Sequence, residues 1–378
     1  MAETDATQSD EELRLLADSM ATLLERAGGV ERARRLRGSA EGWSAAVLRE
    51  IAEAGVLGIL VPGASGGLDM GLPAAGVVAR ELGRALAPEP VVPLMALTLG
   101  VLRRLCPDHP LIGRIVAGVA VPALAHAERG PIGAPAEGCA TRLHATGNGP
   151  AVTGSKAWVM GAASADSFLV LAEGKNGSAL VKVACDAPGV TIVRRPQSDG
   201  SVALEIVFAA TPAEMLAEGE AVTEALEASL DDARALAAAE LLGVASRAFE
   251  ITHAFLGTRE QFGQPIGKFQ VLQHRAVDMH IALQMADAAV SEALARMQAS
   301  DDAALRAREA SRAKARAGRT ARQITREAIQ MHGAIGYTDE YDIGLYLNRT
   351  LVLDAWLGGA GEHSRRWLAL SETGEALQ

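Results

Sequence analysis

"REQFGQPIGKFQVLQH", residues 259–274, decides how this chain is read. In a protein with only 3% aromatic residues, it sets Arg259, Phe262, Phe269, two glycines, a proline and four glutamines directly after a long helical pattern. A helix that merely stopped would need little more than a glycine and a proline. Arg259 and Phe262 are three apart and share one face of a continuing helical turn. The first offers a planar fork of donors suited to a phosphate, and the second an apolar plane beside it. Gly263 and Pro265 turn the chain. Phe269, Leu272, Gln273 and Ala276 then recur at i, i+3, i+4 and i+7, forming one stripe of the next helix, and Gln270 opens that helix beside the stripe. Spacing alone leaves two readings open: a helix–turn–helix junction whose arginine pairs with an acid, or a cradle for a phosphorylated ligand.

The rest of the chain bounds the choice. It has 378 residues, 49% hydrophobic and 22% charged, with a net charge of −10. Those values fit an ordinary soluble protein of two or three subdomains and oppose nucleic-acid binding, which needs a broadly basic face. Cys106, Cys139 and Cys185 show no CxxC spacing and read as reduced thiols of a cytoplasmic protein. The acidic start "MAETDATQSDEELRLL" resembles no secretory or transit signal. The longest apolar stretch, 91–102, is too short for a bilayer and contains Pro93, so no membrane association is expected.

Periodicity divides the chain into three expected domains. Residues 1–120 read as helical, with Ser39 as a plausible N-cap for "SAEGWSAAVLREIAEAG". Residues 121–215 hold short, β-branched, alternating runs separated by Gly, Asn, Asp and Pro, the pattern of an antiparallel β domain without parallel crossovers. Residues 216–378 return to long helices joined by short connections, an up-down bundle. No histidine spacing matches a metal site, and no P-loop, dinucleotide fingerprint or nucleophile elbow is present. The basic run 306–326 reads as a solvated helix face at an interface, with phosphate binding as the alternative.

In order, "R-x-Q-F-G-x-P-I-x-x-F-Q-x-x-Q-H" closely resembles the signature of the acyl-CoA dehydrogenase family. The likeness extends through "LVPGASGGLDMG" and "VARELGRALAP" near the N-terminus, "GSKAWVMGAASADSFLVLA" in the β region, and "AIQMHGAIGYTDEYDIGLYLNR" near the C-terminus. The resemblance implies an N-terminal α-helical domain, a middle antiparallel β-barrel domain and a C-terminal four-helix bundle. It implies FAD, held by Arg259, Phe262, Phe269 and Gln270, with Trp158 near the flavin ring and with Gln330 and Gly333 reaching the FAD of a neighbouring subunit. A dimer or tetramer follows, as do an acyl-CoA substrate and an electron-transferring flavoprotein as acceptor.

The family removes an α-proton with a glutamate while the β-hydride passes to the flavin. Counted from the C-terminal motif, the usual glutamate falls on Leu357; the other position that some members use falls on Ala233. Asp232 and Glu240 are the nearest acids, Asp232 about 100° round the helix from Ala233 and Glu240 roughly 10 Å along it. The flavin-facing hydroxyls expected after Trp158 are replaced by Val159, Met160 and Gly161, and Ala334 stands where a second glycine is usual. The catalytic base is thus unknown from sequence. The backbone N–H of Leu357 remains able to bond a thioester oxygen. These departures resemble a subunit of the hetero-oligomeric type found among steroid-side-chain enzymes. A non-catalytic scaffold subunit, or a flavin oxidase or monooxygenase on the same fold, are the alternatives.

Overall fold

The computed structural model describes residues 2–39, 42–128, 139–147 and 149–375. Helices come first: α1 (Ala2–Arg26), α2 (Gly29–Leu36), α3 (Ala45–Glu53), α4 (Gly71–Ala85), α5 (Leu99–Leu105) and α6 (Leu111–Val116). Strands follow: β1 (Pro122–Ala125), β2 (Arg142–Thr146), β3 (Gly149–Val159), β4 (Ser167–Gly174), β5 (Gly177–Ala184), β6 (Val190–Pro196), β7 (Val202–Pro212) and β8 (Glu214–Glu218). The remainder is α7 (Glu220–Thr258), the two-residue strands β9 (Glu260–Gln261) and β10 (Gln264–Pro265), α8 (Gln270–Gln298), α9 (Ala303–His332), α10 (Ile343–Ala355) and α11 (Ala360–Glu375). The chain forms two compact units: one of residues 1–34, 72–87 and 234–378, the other of residues 35–71 and 88–233.

In the second unit the strands form one eight-stranded sheet in the order β6-β7-β3-β2-β4-β5-β8, with β1 beside β4. Two features depart from the barrel expected from sequence. First, β1 runs parallel to β4, Pro122 opposite Ser167. The whole β2–β3 hairpin lies between them, long enough to serve as a crossover without a helix. Secondly, the sheet does not close among the described residues. Its edges carry Arg194, Arg195 and Pro196 on β6 and Glu214 and Glu218 on β8, charges and a proline that oppose further pairing. The inner face is apolar: Phe168 meets Phe208 edge-on at 6.5 Å between ring centres, among Val152, Val170, Val181 and Ile206. Helix α3 starts at Ser44, whose hydroxyl accepts from the Val47 N–H at 3.4 Å, not at Ser39, which caps the Gly42 N–H instead.

The first unit is the helical bundle. Helices α8 and α9 are antiparallel partners laced by ion pairs that run in opposite sequence order: Arg275–Glu327, Glu292–Arg312 (2.8 Å) and Arg296–Glu309 (2.9 Å). Helices α4 and α7 cross at glycines. A Cβ on Gly83 would stand 2.1 Å from the Glu240 carbonyl oxygen, and one on Gly243 2.0 Å from that of Arg80. No larger residue fits there without moving a backbone.

Between α9, α10 and α11 lies a buried polar layer. Lys314 is fully enclosed and donates to the carbonyls of Leu353 (2.7 Å), Asp354 (3.1 Å) and Gly358 (3.2 Å). Burial pulls its ammonium down to a pKa of about 8. His363 lies with Nε2 2.9 Å from the Leu357 carbonyl and Nδ1 3.3 Å from the Ser311 hydroxyl. A carbonyl can only accept, so Nε2 carries the proton and Nδ1 accepts from Ser311. Burial is the largest cause pushing the His363 imidazole down to a pKa of about 3.

That shift has a sign that can be read in stability. An unfolded histidine binds its proton near pH 6.5, whereas folded His363 stays neutral down to about 3. Between those values the unfolded chain binds more protons, so His363 costs stability as pH falls through this window. Unfolding free energies from urea titrations at pH 7 and pH 5 should fall by about 2 kcal/mol more for the wild type than for His363→Gln. Equal losses in the two proteins would contradict the neutral, buried imidazole.

Candidate functional site

Helix α7 stops at Thr258, with the Arg259 N–H still bonded to the Phe255 carbonyl at 2.9 Å. Strands β9 and β10 then pair through a two-residue turn in which Phe262 (φ 53°) and Gly263 (φ 79°) are both left-handed. Hairpins favour that turn geometry, but a phenylalanine in it is strained. The turn carries the Phe262 ring outward, 91% exposed, at 6.1 Å and nearly perpendicular to Phe269. Phe269 occupies the N-cap position of α8 and supplies no side-chain cap; its carbonyl takes the Leu272 and Gln273 N–H groups, which leaves those of Gln270 and Val271 without an acceptor among the described residues. The Arg259 guanidinium is exposed and has no hydrogen bond or ion pair among the described residues. An uncapped helix start, an unpaired arginine fork and two aromatic planes are what a diphosphate joined to a heteroaromatic base requires.

The second group lies at the C-terminus of α9. Gln330 is exposed, and Gly333 ends the helix at φ 67°, ψ −139°, a conformation that excludes side chains. His332 stacks on Phe255 with ring centres 4.2 Å apart and donates from Nδ1 to the Ala328 carbonyl at 2.7 Å. That stack ties the end of α9 to the end of α7, so one chain carries the Arg259 junction and the Gln330–Gly333 element side by side. Beyond them the surface stays apolar, with Ile335 and Tyr337 exposed. On α8, Val277, Ile281 and Met285 form an exposed apolar stripe at four-residue spacing.

Trp158 belongs to the second unit. It sits near the end of β3, where the register against β7 shifts between Lys156 and Val159, and it too is left-handed, at φ 56°. Its indole Nε1 is buried with no hydrogen-bond partner among the described residues. A buried donor left unbonded is costly and marks a place where another group is expected. Beside it on the same strand, Lys156 is buried against Glu128 (2.8 Å) and Cys139 (3.3 Å). Burial works against the Glu128 charge, but the Lys156 and Thr141 hydrogen bonds prevail and hold its carboxyl down to about 2.

The positions where a base would stand carry none. Ala233 is wholly buried and Leu357 nearly so. Asp232 is buried and accepts from Arg103 (3.0 Å) and Arg104 (2.8 Å). Glu240 is buried against the Arg349 guanidinium. Both acids are spoken for by arginines, the arrangement of structural charges. Among the described residues no cluster of three or more His, Cys, Asp or Glu side chains suits a metal ion.

Leu357 is nevertheless distinctive. It is left-handed at φ 60°. Its neighbours' N–H groups all have acceptors: Trp356 on the Val352 carbonyl, Gly358 on Ala355, Gly359 on the Glu362 carboxylate and Ala360 on that of Asp354. The Leu357 N–H has none among the described residues. The buried residues beneath this turn, Lys314 and His363, escape a reading of the sequence. Lys314 sits inside a basic run that looks solvated, although it falls in register with Ala310, Ala313, Ala317 and Ala321, all buried on α9. That alanine stripe was the available signal.

Comparison with known proteins agrees with these features. The family pattern described as "Acyl-CoA dehydrogenase, C-terminal domain" matches residues 223–371, and "Acyl-CoA dehydrogenase, N-terminal domain" matches residues 10–105. The acyl-CoA dehydrogenase IpdE2 of Mycolicibacterium smegmatis is 30% identical over 357 residues, 94% of this chain and 97% of its own. Among solved structures, a variant of the Tcur3481-Tcur3483 steroid ACAD matches at a TM-score of 0.86 and 30% identity, covering 97% of this chain and 99% of that one. The ChsE4-ChsE5 complex from Mycobacterium tuberculosis matches at 0.81 and 25%, covering 94% and 95%. With the Arg259 junction, the Gln330–Gly333 element and the helix–sheet–helix order in place, the chain belongs to the acyl-CoA dehydrogenase family, the FAD-dependent oxidoreductases that act on CH–CH bonds.

Proposed function

We propose that this chain is an FAD-binding subunit of an acyl-CoA dehydrogenase hetero-oligomer whose partner chain supplies the catalytic carboxylate. The observation that carries this reading is the contrast within one molecule: an exposed, unpaired Arg259–Phe262 junction beside base positions occupied by Leu357 and Ala233. Two of the solved relatives carry paired names, the Tcur3481-Tcur3483 steroid ACAD and the ChsE4-ChsE5 complex. A steroid is the acyl class that the first of those names suggests for this chain's CoA thioester.

In this reading Arg259 would hold the diphosphate, Phe262 and Phe269 would offer planes to the adenine, and Gln270 with the α8 N-terminus would supply further donors. Gln330 and Gly333 close over the cofactor of a neighbouring subunit. The unbonded Trp158 indole N–H would be a donor available to the flavin ring. Bound FAD supplies the acceptor for the hydride leaving the β-carbon. This chain's part in the chemistry is to hold the thioester. The Leu357 N–H donates to the thioester oxygen, where negative charge develops as the α-proton leaves, and a donor fixed in advance stabilises that charge by a few kcal/mol. The α-proton itself would need a carboxylate from the partner, because Asp232 and Glu240, the acids nearest the expected base positions, are committed to arginines. Electrons leave for an electron-transferring flavoprotein. The division into residues 1–120, 121–215 and 216–378 and a cytoplasmic location belong to the same proposal; no described helix is long and apolar enough to cross a membrane. A scaffold subunit is the second reading, favoured by the same missing carboxylates.

Three measurements test the proposal. Arg259→Met should weaken FAD retention about 10- to 100-fold, as expected for loss of a charge-assisted pair, with the melting temperature of the apoprotein unchanged. Flavin absorbance after dialysis reads this, and undiminished retention would remove Arg259 from the site. The chain alone, loaded with FAD, should not be bleached by acyl-CoA, whereas mixing with a family chain bearing glutamate at a base position should restore bleaching; bleaching by the chain alone would defeat the shared-site reading. Ile281→Asp in the exposed α8 stripe should shift the assembly to smaller species in sedimentation, and an unchanged mass would place the interface elsewhere.

A further inference from the structure

The turn after α10 is held from beneath by groups that touch no solvent. Lys314 uses all three ammonium protons on carbonyl oxygens, two from the last turn of α10 and one, Gly358, beyond it. The last carbonyls of a helix have no partner within it and carry its negative end, so a buried ammonium there is both a cap and a counter-charge. His363 takes the carbonyl of Leu357 itself, and is oriented in turn by Ser311, whose hydroxyl oxygen accepts from Arg366 at 2.8 Å. Gly358 must be glycine: at φ 103° a Cβ would stand 2.9 Å from His363 Nε2. The Asp354 carboxylate accepts from the Ala360 N–H and from Arg322, both at 3.1 Å, and lies where Gly318 leaves no room for a Cβ, 2.2 Å away.

The consequence is directional. Carbonyls 353, 354, 357 and 358 are all bonded from the α9 and α11 side, and the N–H groups of residues 356 and 358 to 360 are bonded within the turn. Among the N–H groups of residues 356 to 360, that of Leu357 is left over, on a residue whose left-handed backbone would relax if the carbonyls around it were released. We propose that Lys314 and His363 are positioning residues for thioester binding: by pinning the carbonyls of Gly358 and Leu357 they fix the direction in which the Leu357 N–H points. The inference rests on the reading that this N–H receives a CoA thioester oxygen. It adds that the donor's aim is set by two buried side chains that touch neither substrate nor cofactor.

The test uses the FAD-loaded chain in its assembly, with acetoacetyl-CoA as probe. This 1,3-dicarbonyl ionises to an enolate without needing an enzymic base, and the enolate puts charge on the thioester oxygen. Its near-ultraviolet absorbance gives the enolate-to-keto ratio of the bound ligand at fixed pH. The wild type should favour the enolate relative to free solution. Lys314→Met and His363→Leu should each lower the bound ratio at least ten-fold while FAD content and total affinity for the CoA ligand change less than two-fold. His363→Gln, which keeps a donor toward Leu357, should restore most of the ratio. A merely structural role would instead lower FAD content and the binding of both ligand forms together, with no rescue by glutamine, and that result would overturn the proposal. If Lys314→Met does not fold, the leucine and glutamine variants at position 363 decide alone. A wild type that leaves the probe in its solution ratio would show that the Leu357 N–H holds no thioester, defeating the underlying reading. A wild type that favours the enolate, with variants that do so equally, would leave that reading standing and sink the positioning role.

Discussion

A lysine ammonium taken wholly out of water is tolerable only where every proton finds an acceptor and opposite charge lies near. Lys314 meets that condition at one place, beneath the C-terminal end of α10, and the surrounding bundle is arranged to make the place available. Helix α9 carries it on an alanine stripe small enough to let α10 and α11 approach. Asp354 supplies opposite charge, and His363 stays neutral so that a second positive charge does not join the first. Remove the ammonium and only one of the four bonded carbonyls, that of Leu357, keeps its partner.

Strain marks the same places. Six residues other than glycine are left-handed among the described residues, and Phe262, Trp158 and Leu357 are three of them. Each costs roughly 1–3 kcal/mol and persists only where its surroundings over-determine it. At Phe262 the result is a ring thrown outward, at Trp158 an indole N–H without a partner, and at Leu357 a backbone N–H without one. An exposed apolar plane and two unbonded donors are losses for an isolated chain. Under the proposed function a nucleotide, a flavin and a thioester would recover them, as expected of features that collect at binding sites and not in the core.

The absent carboxylate has a structural counterpart. Acids do lie near the expected positions, but burial has forced each into partnership, Asp232 with Arg103 and Arg104 and Glu240 with Arg349. A carboxylate whose oxygens are turned to arginines inside the bundle is poorly placed to reach an α-proton. Under the proposed function, Arg259 and Phe262 would keep the adenine end of the site while the base would come from a partner chain. That division suits a molecule that contributes half of a site.

Local pattern was sufficient for much of this. The long 3.6-residue periodicities, the alternating β-branched runs and the fixed order Arg259, Phe262, Gly263, Pro265, Phe269, Gln270 determined the helix–sheet–helix order, the junction and the family, because each depends on neighbours within a few residues. The open sheet with its parallel β1–β4 pair was not legible, since pairing of β1 with β4 joins segments separated by a whole hairpin, and closure depends on what the edge charges meet. Nor were the commitments of Asp232 and Glu240, the burial of a lysine inside a run of arginines, or the Leu357 N–H left without an acceptor among the described residues. A charge reads the same in sequence whether water or three carbonyls surround it. Only the folded chain decides which, because desolvation and hydrogen-bond completion are properties of groups brought together from distant parts of the sequence.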